Sequence, residues 1–327
     1  MRVAENLNAA LHALLEDDPT AYVLGEDIVD PYGGAFKVTK GLSTRFPERV
    51  ITTPISEGAL TGVAAGLALT GNTAVAEIMF GDFVTLAFDQ LCNFASKSVS
   101  MYGERVPLRM VVRCPTGGGR GYGPTHSQSL QKHFIGMPGL SLYEMSPFHD
   151  NRAVFAAMLK AAEPCVFFED KVLYTRQMER VDPLFAVRRD GDLAVVDIRD
   201  AGDRPDCVII APGGMAHRAL GAMRSLLVEQ EIVTRLLVPS RLYPLDADAL
   251  LPHVGDVVLV AEESTPGGTW GSEVAHLLHA RLWGRLRGPV RVVCSRDAVI
   301  PTAAHLEAEV LAGESAIHHA VREALRG

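Results

Sequence analysis

No apolar run in this 327-residue chain reaches the roughly 18 to 20 residues that a helix needs to span a bilayer, because the longest ones break at glycine or at charge. A membrane partner is therefore not expected. The chain also lacks a basic block and an acidic tail. Its 39 acidic and 31 basic residues, a formal charge of −8, are spread along the sequence, which disfavours nucleic acid and anionic membranes. No small-residue cleavage site follows MRVAENLNAALHALLEDDPTA. That segment sets Val3, Leu7, Leu11, Leu14 and Leu15 at helical spacing and reads as an amphipathic first helix rather than a signal peptide. Finally, there is no CxxC spacing. Cys92, Cys114, Cys165, Cys207 and Cys294 stand far apart, four of them within apolar runs, as expected of buried thiols in a reducing compartment, so a cytoplasmic location is expected.

What the chain does have is apolar content for a large core, 48% of its residues, and a length that favours two domains of about 100 to 200 residues each. The strand-like runs AYVLGED, RVITTPI, AVAEIMF, LRMVVRC, LSLYEMS and CVFFED alternate with helical stretches such as GALTGVAAGLAL and TLAFDQLCNFASKSV. Such alternation predicts an α/β fold with a mainly parallel sheet. From Arg180 to Asp206 the composition turns charged, with Gly and Pro, and reads as a boundary. A second alternating set follows: DCVIIAPG, VTRLLVPS, VVLVAEE and VRVVCS, with helices near 216–230 and 271–286. The expected architecture is two domains, 1–185 and 186–327, each a mainly parallel sheet flanked by helices.

Three features at strand ends carry chemical interest. Pro54-Ile55-Ser56-Glu57-Gly58 follows the strand RVITT and opens a helix of small residues, so Glu57 falls where open α/β sheets bind ligands. A glutamate there also complements the helix dipole without further purpose. Phe80-Gly81-Asp82-Phe83 follows another strand, and an aromatic at such a loop can stack on a flat ring or merely fill core. The third is the run from Thr116 to Ser129, TGGGRGYGPTHSQS, with five glycines by Gly123 and then His126. So many glycines add no stability to a packed element, and the loop reads as serving a site. A phosphate cradle is the competing reading, although the spacing differs from GxxxxGK[ST].

In order, TPISEGALTGVAAGLALTG, AEIMFGDFVTLAFDQLCNFASK, GGGRGYGPTHSQS, PGL and EPCVFFEDKVLY resemble the beta subunits of the thiamine diphosphate-dependent decarboxylase component of 2-oxo acid dehydrogenase complexes, of which the pyruvate, branched-chain and acetoin enzymes are members. The second half, with APGGM, PSRLYPLD and VAEES followed by GGTWG, is similar to the transketolase C-terminal domain. The resemblance implies that Glu57 bonds the cofactor's aminopyrimidine nitrogen and promotes the imino tautomer, which takes the thiazolium C2 proton. Desolvation suits a carboxyl group to sharing that proton. By the same resemblance Phe83 stacks on the pyrimidine, Ile55 lines its pocket, and His126 faces substrate and acyl acceptor. A structural potassium ion near Glu169 to Tyr174 is a further implication, with no ligands assigned.

The GDG motif that holds diphosphate and magnesium in this family belongs to the alpha-type chain, and no GDG occurs here. The resemblance thus implies an alpha-type partner in an α2β2 heterotetramer, with magnesium held by the partner, a 2-oxo acid substrate and a lipoyl acyltransferase as acceptor. Ser56 and Gly81 stand where the family more often has Ala, and Asn or Ala. QKHFIGMPGL stands where a run ending like HCPGL is usual, next to the acceptor side. Two other functions are consistent with the sequence: an acyloin-forming or split transketolase-like carboligase subunit, and a noncatalytic scaffold. A scaffold would need none of Glu57, Phe83 and His126 at their turn positions.

Overall fold

The computed structural model describes residues 1–178 and 182–326. Arg180, the start of the charged boundary segment, lies outside the described residues. The six expected strands of the first half all form: β1 (Ala21–Gly25), β2 (Val50–Thr52), β3 (Thr73–Glu77), β4 (Met110–Thr116), β5 (Ser141–Glu144) and β6 (Cys165–Asp170). They pair in parallel in the order β5-β6-β4-β3-β1-β2. Both faces are covered by helices, so every residue of β3, β4, β5 and β6 is buried, as parallel sheets require.

The second sheet holds β7 (Phe185–Asp190), β8 (Leu193–Ile198), β9 (Cys207–Ile210), β10 (Thr234–Pro239), β12 (Val258–Ala261) and β13 (Arg291–Val293), in the order β13-β12-β9-β10-β8-β7. Its four strands β13, β12, β9 and β10 are parallel, while β8 and β7 run antiparallel at one edge. The charged stretch taken as a boundary therefore contains a hairpin. Its two-residue turn is Gly191-Asp192, because Asp190 pairs with Leu193, and Gly191 at φ +56° supplies the positive φ that a Gly-first hairpin turn needs. The exposed Arg188 and Arg189 are side chains of an edge strand rather than of a linker. One strand of the second half, β11 (Arg241–Tyr243), crosses over to pair antiparallel with β5.

Period-2 alternation sorts each strand between two faces. Met110, Val112 and Cys114 of β4 enter one apolar cluster, whereas Val111 enters the cluster under the helices Val3–Asp17 and Asn151–Lys160. The first of these clusters continues into the second sheet through Val195, Ile210, Leu237 and Val260, so one apolar layer joins the two halves. Beyond that sheet, the helices Gly213–Gln230 and Glu314–Arg326 close a further cluster. Among the described residues no helix is long and apolar enough to cross a membrane.

The stretch expected as one helix, TLAFDQLCNFASKSV, is broken. A 3₁₀ turn over Gly81–Ala87 is followed by a π-helical turn over Gln90–Ala95 and a short α-turn at Ser96–Ser98. Gly81 sits tight at its start: a Cβ there would lie 2.9 Å from the Pro115 carbonyl oxygen. This winding differs from the regular α-helix that apolar spacing suggests, and such breaks commonly accompany functional sites.

Candidate active site

The helix Glu57–Leu69 begins five residues after β2 ends, with Ser56 at its N-cap. Leu60, Ala64, Ala65 and Ala68 turn inward, and the small residues let the helix lie close on its neighbours. Its first turn abuts the 3₁₀ segment, since a Cβ on Gly58 would be 3.2 Å from the Leu86 carbonyl. Glu57 itself is only 5% exposed, yet among the described residues its carboxylate has no hydrogen bond or ion pair with another side chain. The charged group it faces is Glu26, just past the end of β1. Burial pushes Glu26 up from the ordinary carboxylate range, the Glu57 charge adds to this, and the Ser56 amide partly offsets it. One carboxylate oxygen of Glu26, Oε1, is buried without a partner. Two residues before Glu57, Ile55 is 81% exposed.

Phe83 and His126 are brought together: their rings meet edge to face at 5.3 Å, and Phe80 meets the same imidazole at 4.7 Å. Asp82 fixes this pairing, because its Oδ1 accepts from the Gln128 amide at 3.0 Å and from the Gln128 side chain at 2.9 Å, tying the 3₁₀ turn to the HSQS segment. Among the described residues the imidazole has one hydrogen bond, between its Nδ1 and the Thr125 hydroxyl at 3.0 Å. A planar heterocycle with a hydrogen-bonding edge, such as the aminopyrimidine implied by the resemblance, needs an unpaired carboxylate, a ring face and an aliphatic wall. Glu57, Phe83 and Ile55 have those characters, so the residues present fit that half of the cofactor.

The glycine-rich loop has a different role from the phosphate cradle its composition suggests. Gly117, Gly119, Gly121 and Gly123 all have φ between +70° and +86°, the left-handed region, which turns their amides inward. Three amides of this loop are already taken by carboxylates of the second half. Gly118 donates to Glu263 Oε1 at 2.7 Å, while Gly119 and Gly121 donate to the two oxygens of Glu307 at 2.9 and 3.1 Å. Glu263 also accepts from the Ser129 hydroxyl and pairs with Arg218 Nη2 at 2.6 Å. Burial alone would raise Glu263, but Arg218 and these donors hold it below the usual range. Beneath the loop, burial lowers the Lys171 ammonium to about 8 against the pull of Asp82 and Asp170.

Near Glu169 to Tyr174 the acidic oxygens are engaged. Arg113 donates to both oxygens of Glu169, at 2.7 and 2.8 Å, and also reaches Glu77, while the Tyr174 hydroxyl donates to Glu169 at 2.5 Å. That carboxylate is thus committed to a guanidinium rather than free for potassium. Sequence reasoning did not find Glu26, Asp82, Glu263 or Glu307. The first had a legible signal, an acid directly after an apolar strand; Glu263 and Glu307 had none, since they lie 145 and 188 residues from the amides they meet.

Residues 1–177 match the transketolase pyrimidine binding domain, and residues 197–317 match the transketolase C-terminal domain. The chain is 30% identical to the acetoin:2,6-dichlorophenolindophenol oxidoreductase subunit beta of Cupriavidus necator, over 98% of this chain and 96% of that one. It is 32% identical to the 2-oxoisovalerate dehydrogenase subunit beta of Bacillus subtilis, covering 99% and 98% of the two chains. With the pyruvate dehydrogenase E1 component subunit beta of Porphyra purpurea the identity is 33%, over 92% and 89%. A solved chain described as split gene transketolase, inactive beta4 tetramer, shares the fold with a TM-score of 0.74 at 22% identity, over 100% of this chain and 99% of that one.

Proposed function

This chain belongs to the transketolase-type family of 2-oxo acid dehydrogenase E1 beta subunits, and from that premise we propose that it is the beta-type half of a thiamine diphosphate-dependent 2-oxo acid dehydrogenase, active only with an alpha-type partner in an α2β2 assembly. Thiamine diphosphate, when bound, supplies the carbon centre that decarboxylates the 2-oxo acid and carries the acyl fragment. The chain's own residues handle protons and position. Glu57, buried and without a partner, would hold or give up a proton at the pyrimidine nitrogen. Phe83 and Ile55 would flank the ring and keep water from it. His126, edge-on to Phe80 and Phe83, would face substrate and the acceptor, which we take to be a lipoyl group on an acyltransferase. The partner chain would hold magnesium and the diphosphate. A structural potassium ion near Glu169 to Tyr174 would draw on oxygens other than the Glu169 carboxylate, which Arg113 and Tyr174 occupy. We divide the chain after residue 185 and assign it to the cytoplasm.

The observation that carries this reading is the unpaired carboxylate of the buried Glu57 at the first turn of its helix. Relatives named as dehydrogenase and oxidoreductase subunits weigh against carboligation and against a scaffold. The test is Glu57→Gln in the assembled enzyme, followed by deuterium exchange of the C2 proton on bound cofactor. The amide keeps shape but cannot accept and return the proton, so exchange should fall by at least the roughly 100-fold typical of a lost general acid–base. Exchange at the parent rate would remove Glu57 from the mechanism and the proposal with it.

A further inference from the structure

We infer that Glu307, a carboxylate of the second half of the chain, is a positioning residue for His126: it fills the amide nest of the 117–123 loop and so sets where the imidazole stands. The inference rests on the role proposed above for His126. Alternating left-handed glycines make the loop a concavity of inward amides, the geometry that binds anions elsewhere. Here the anion is built in. Glu307 is 3% exposed and spends one oxygen on Gly119 and the other on Gly121.

The segment that bears Glu307 shapes the rest of the seat. A Cβ on Gly118 would meet Leu311 Cδ1 at 2.4 Å, and one on Gly123 would meet Thr302 Oγ1 at 2.7 Å. Glycine at 118 and 123 thus lets the loop lie close on the 302–311 segment, where a Cβ would push these side-chain ends aside. The loop's root is also fixed, since the Gln128 carbonyl accepts from the Gly117 amide at 3.1 Å and the Thr116 hydroxyl at 2.8 Å. Between these anchors the chain runs through Pro124 and Thr125 to His126, whose amide points to the Gly123 carbonyl at 3.4 Å. Among the described residues His126 has one side-chain hydrogen bond, to the adjacent Thr125. Its place is thus set by the loop backbone together with the Asp82–Gln128 tie and the Phe80 and Phe83 rings, and Glu307 holds that backbone at Gly119 and Gly121. A shift of about 1 Å in such a group costs on the order of a hundredfold in rate.

The experiment uses the enzyme assembled with its alpha-type partner and compares the parent, Glu307→Ala, Glu307→Gln, His126→Ala and the Glu307→Ala/His126→Ala double variant. Three quantities are read: amide hydrogen exchange in the 117–123 loop, C2-proton exchange on bound thiamine diphosphate, and the rate of acyl transfer. Both Glu307 variants should speed loop exchange at least tenfold, keep C2 exchange within about twofold, and slow acyl transfer by 10- to 100-fold. In the His126→Ala background, losing Glu307 should cost nothing further. Unchanged loop exchange, or losses that multiply in the double variant, overturns the inference. If Glu307→Ala does not assemble, Glu307→Gln carries the test, because its NH2 keeps the volume yet cannot accept one of the two amides. Loop exchange is read without turnover, so a parent lacking C2 exchange would sink the proposed function while the clamp is still decided.

Discussion

Arg218→Met offers a quantitative test of how the two halves are held around the site. The guanidinium, 18% exposed, sits 2.6 Å from Glu263 and 3.9 Å from Asp170, whose side chains are 7% and 6% exposed. Methionine keeps much of the length and removes the charge, leaving two buried carboxylates facing each other. Removing one partner of a buried pair costs about 3–5 kcal/mol, against a total stability of about 5–15 kcal/mol for a folded domain. With a urea slope of about 3 kcal/mol/M, the unfolding midpoint should fall by roughly 1 to 1.7 M. Trp270, buried against the same cavity as Asp170 and Glu263, reports the transition by fluorescence. The loss should depend on pH. Burial already lifts Asp170 to about 6 in spite of Arg218; without the arginine, Asp170 and Glu263 both rise. A carboxyl raised above its unfolded value costs stability as pH climbs past that value, about 4. In the parent, Glu263 is held low and its contribution fades as pH falls. The gap between parent and variant should therefore be widest near pH 8 and narrow towards pH 4. A midpoint drop under about 0.3 M, or an equal drop at pH 5 and pH 8, would refute this account of the pair.

His126→Ala should leave C2-proton exchange on bound cofactor near the parent rate while acyl transfer falls by about 100-fold or more, a split visible in stopped-flow and steady-state rates; loss of C2 exchange would show that the histidine acts earlier. Gly214→Ala should destabilise the fold by about 1–3 kcal/mol in urea titration, because the new Cβ would lie 1.6 Å from Asp170 Oδ2 and force a buried carboxylate aside. A neutral result there would mean that the first turn of the helix Gly213–Gln230 has slack the packing does not reveal.

The sequence carried the parts of this fold that depend on local pattern. Strand runs such as LRMVVRC and CVFFED are apolar on both faces because they are central strands of a covered parallel sheet, and Glu57 falls at a strand-to-helix turn by simple counting. Long-range closure left no local trace. The hairpin Phe185–Ile198 was obscured by the edge arginines Arg188 and Arg189, although its Gly-Asp turn was readable. The 3₁₀ and π windings of Gly81–Ala95 share their apolar spacing with an α-helix over so few turns. The glycine loop advertised an anion, and its counterpart was Glu307, far along the chain and in a helix with nothing unusual about it.

The crossover of Arg241–Tyr243 onto Ser141–Glu144 bears on how this protein can be dissected. A fragment ending at residue 185 would keep six strands of the first sheet but lose its seventh, exposing the outer amides and carbonyls of Ser141–Glu144 to any extended peptide nearby. Such a fragment would tend to stick to itself, and the remaining piece would carry an unzipped ribbon with nothing to pair. Biochemists wanting either half alone would do better to graft the 241–243 strand onto the first than to cut after residue 185.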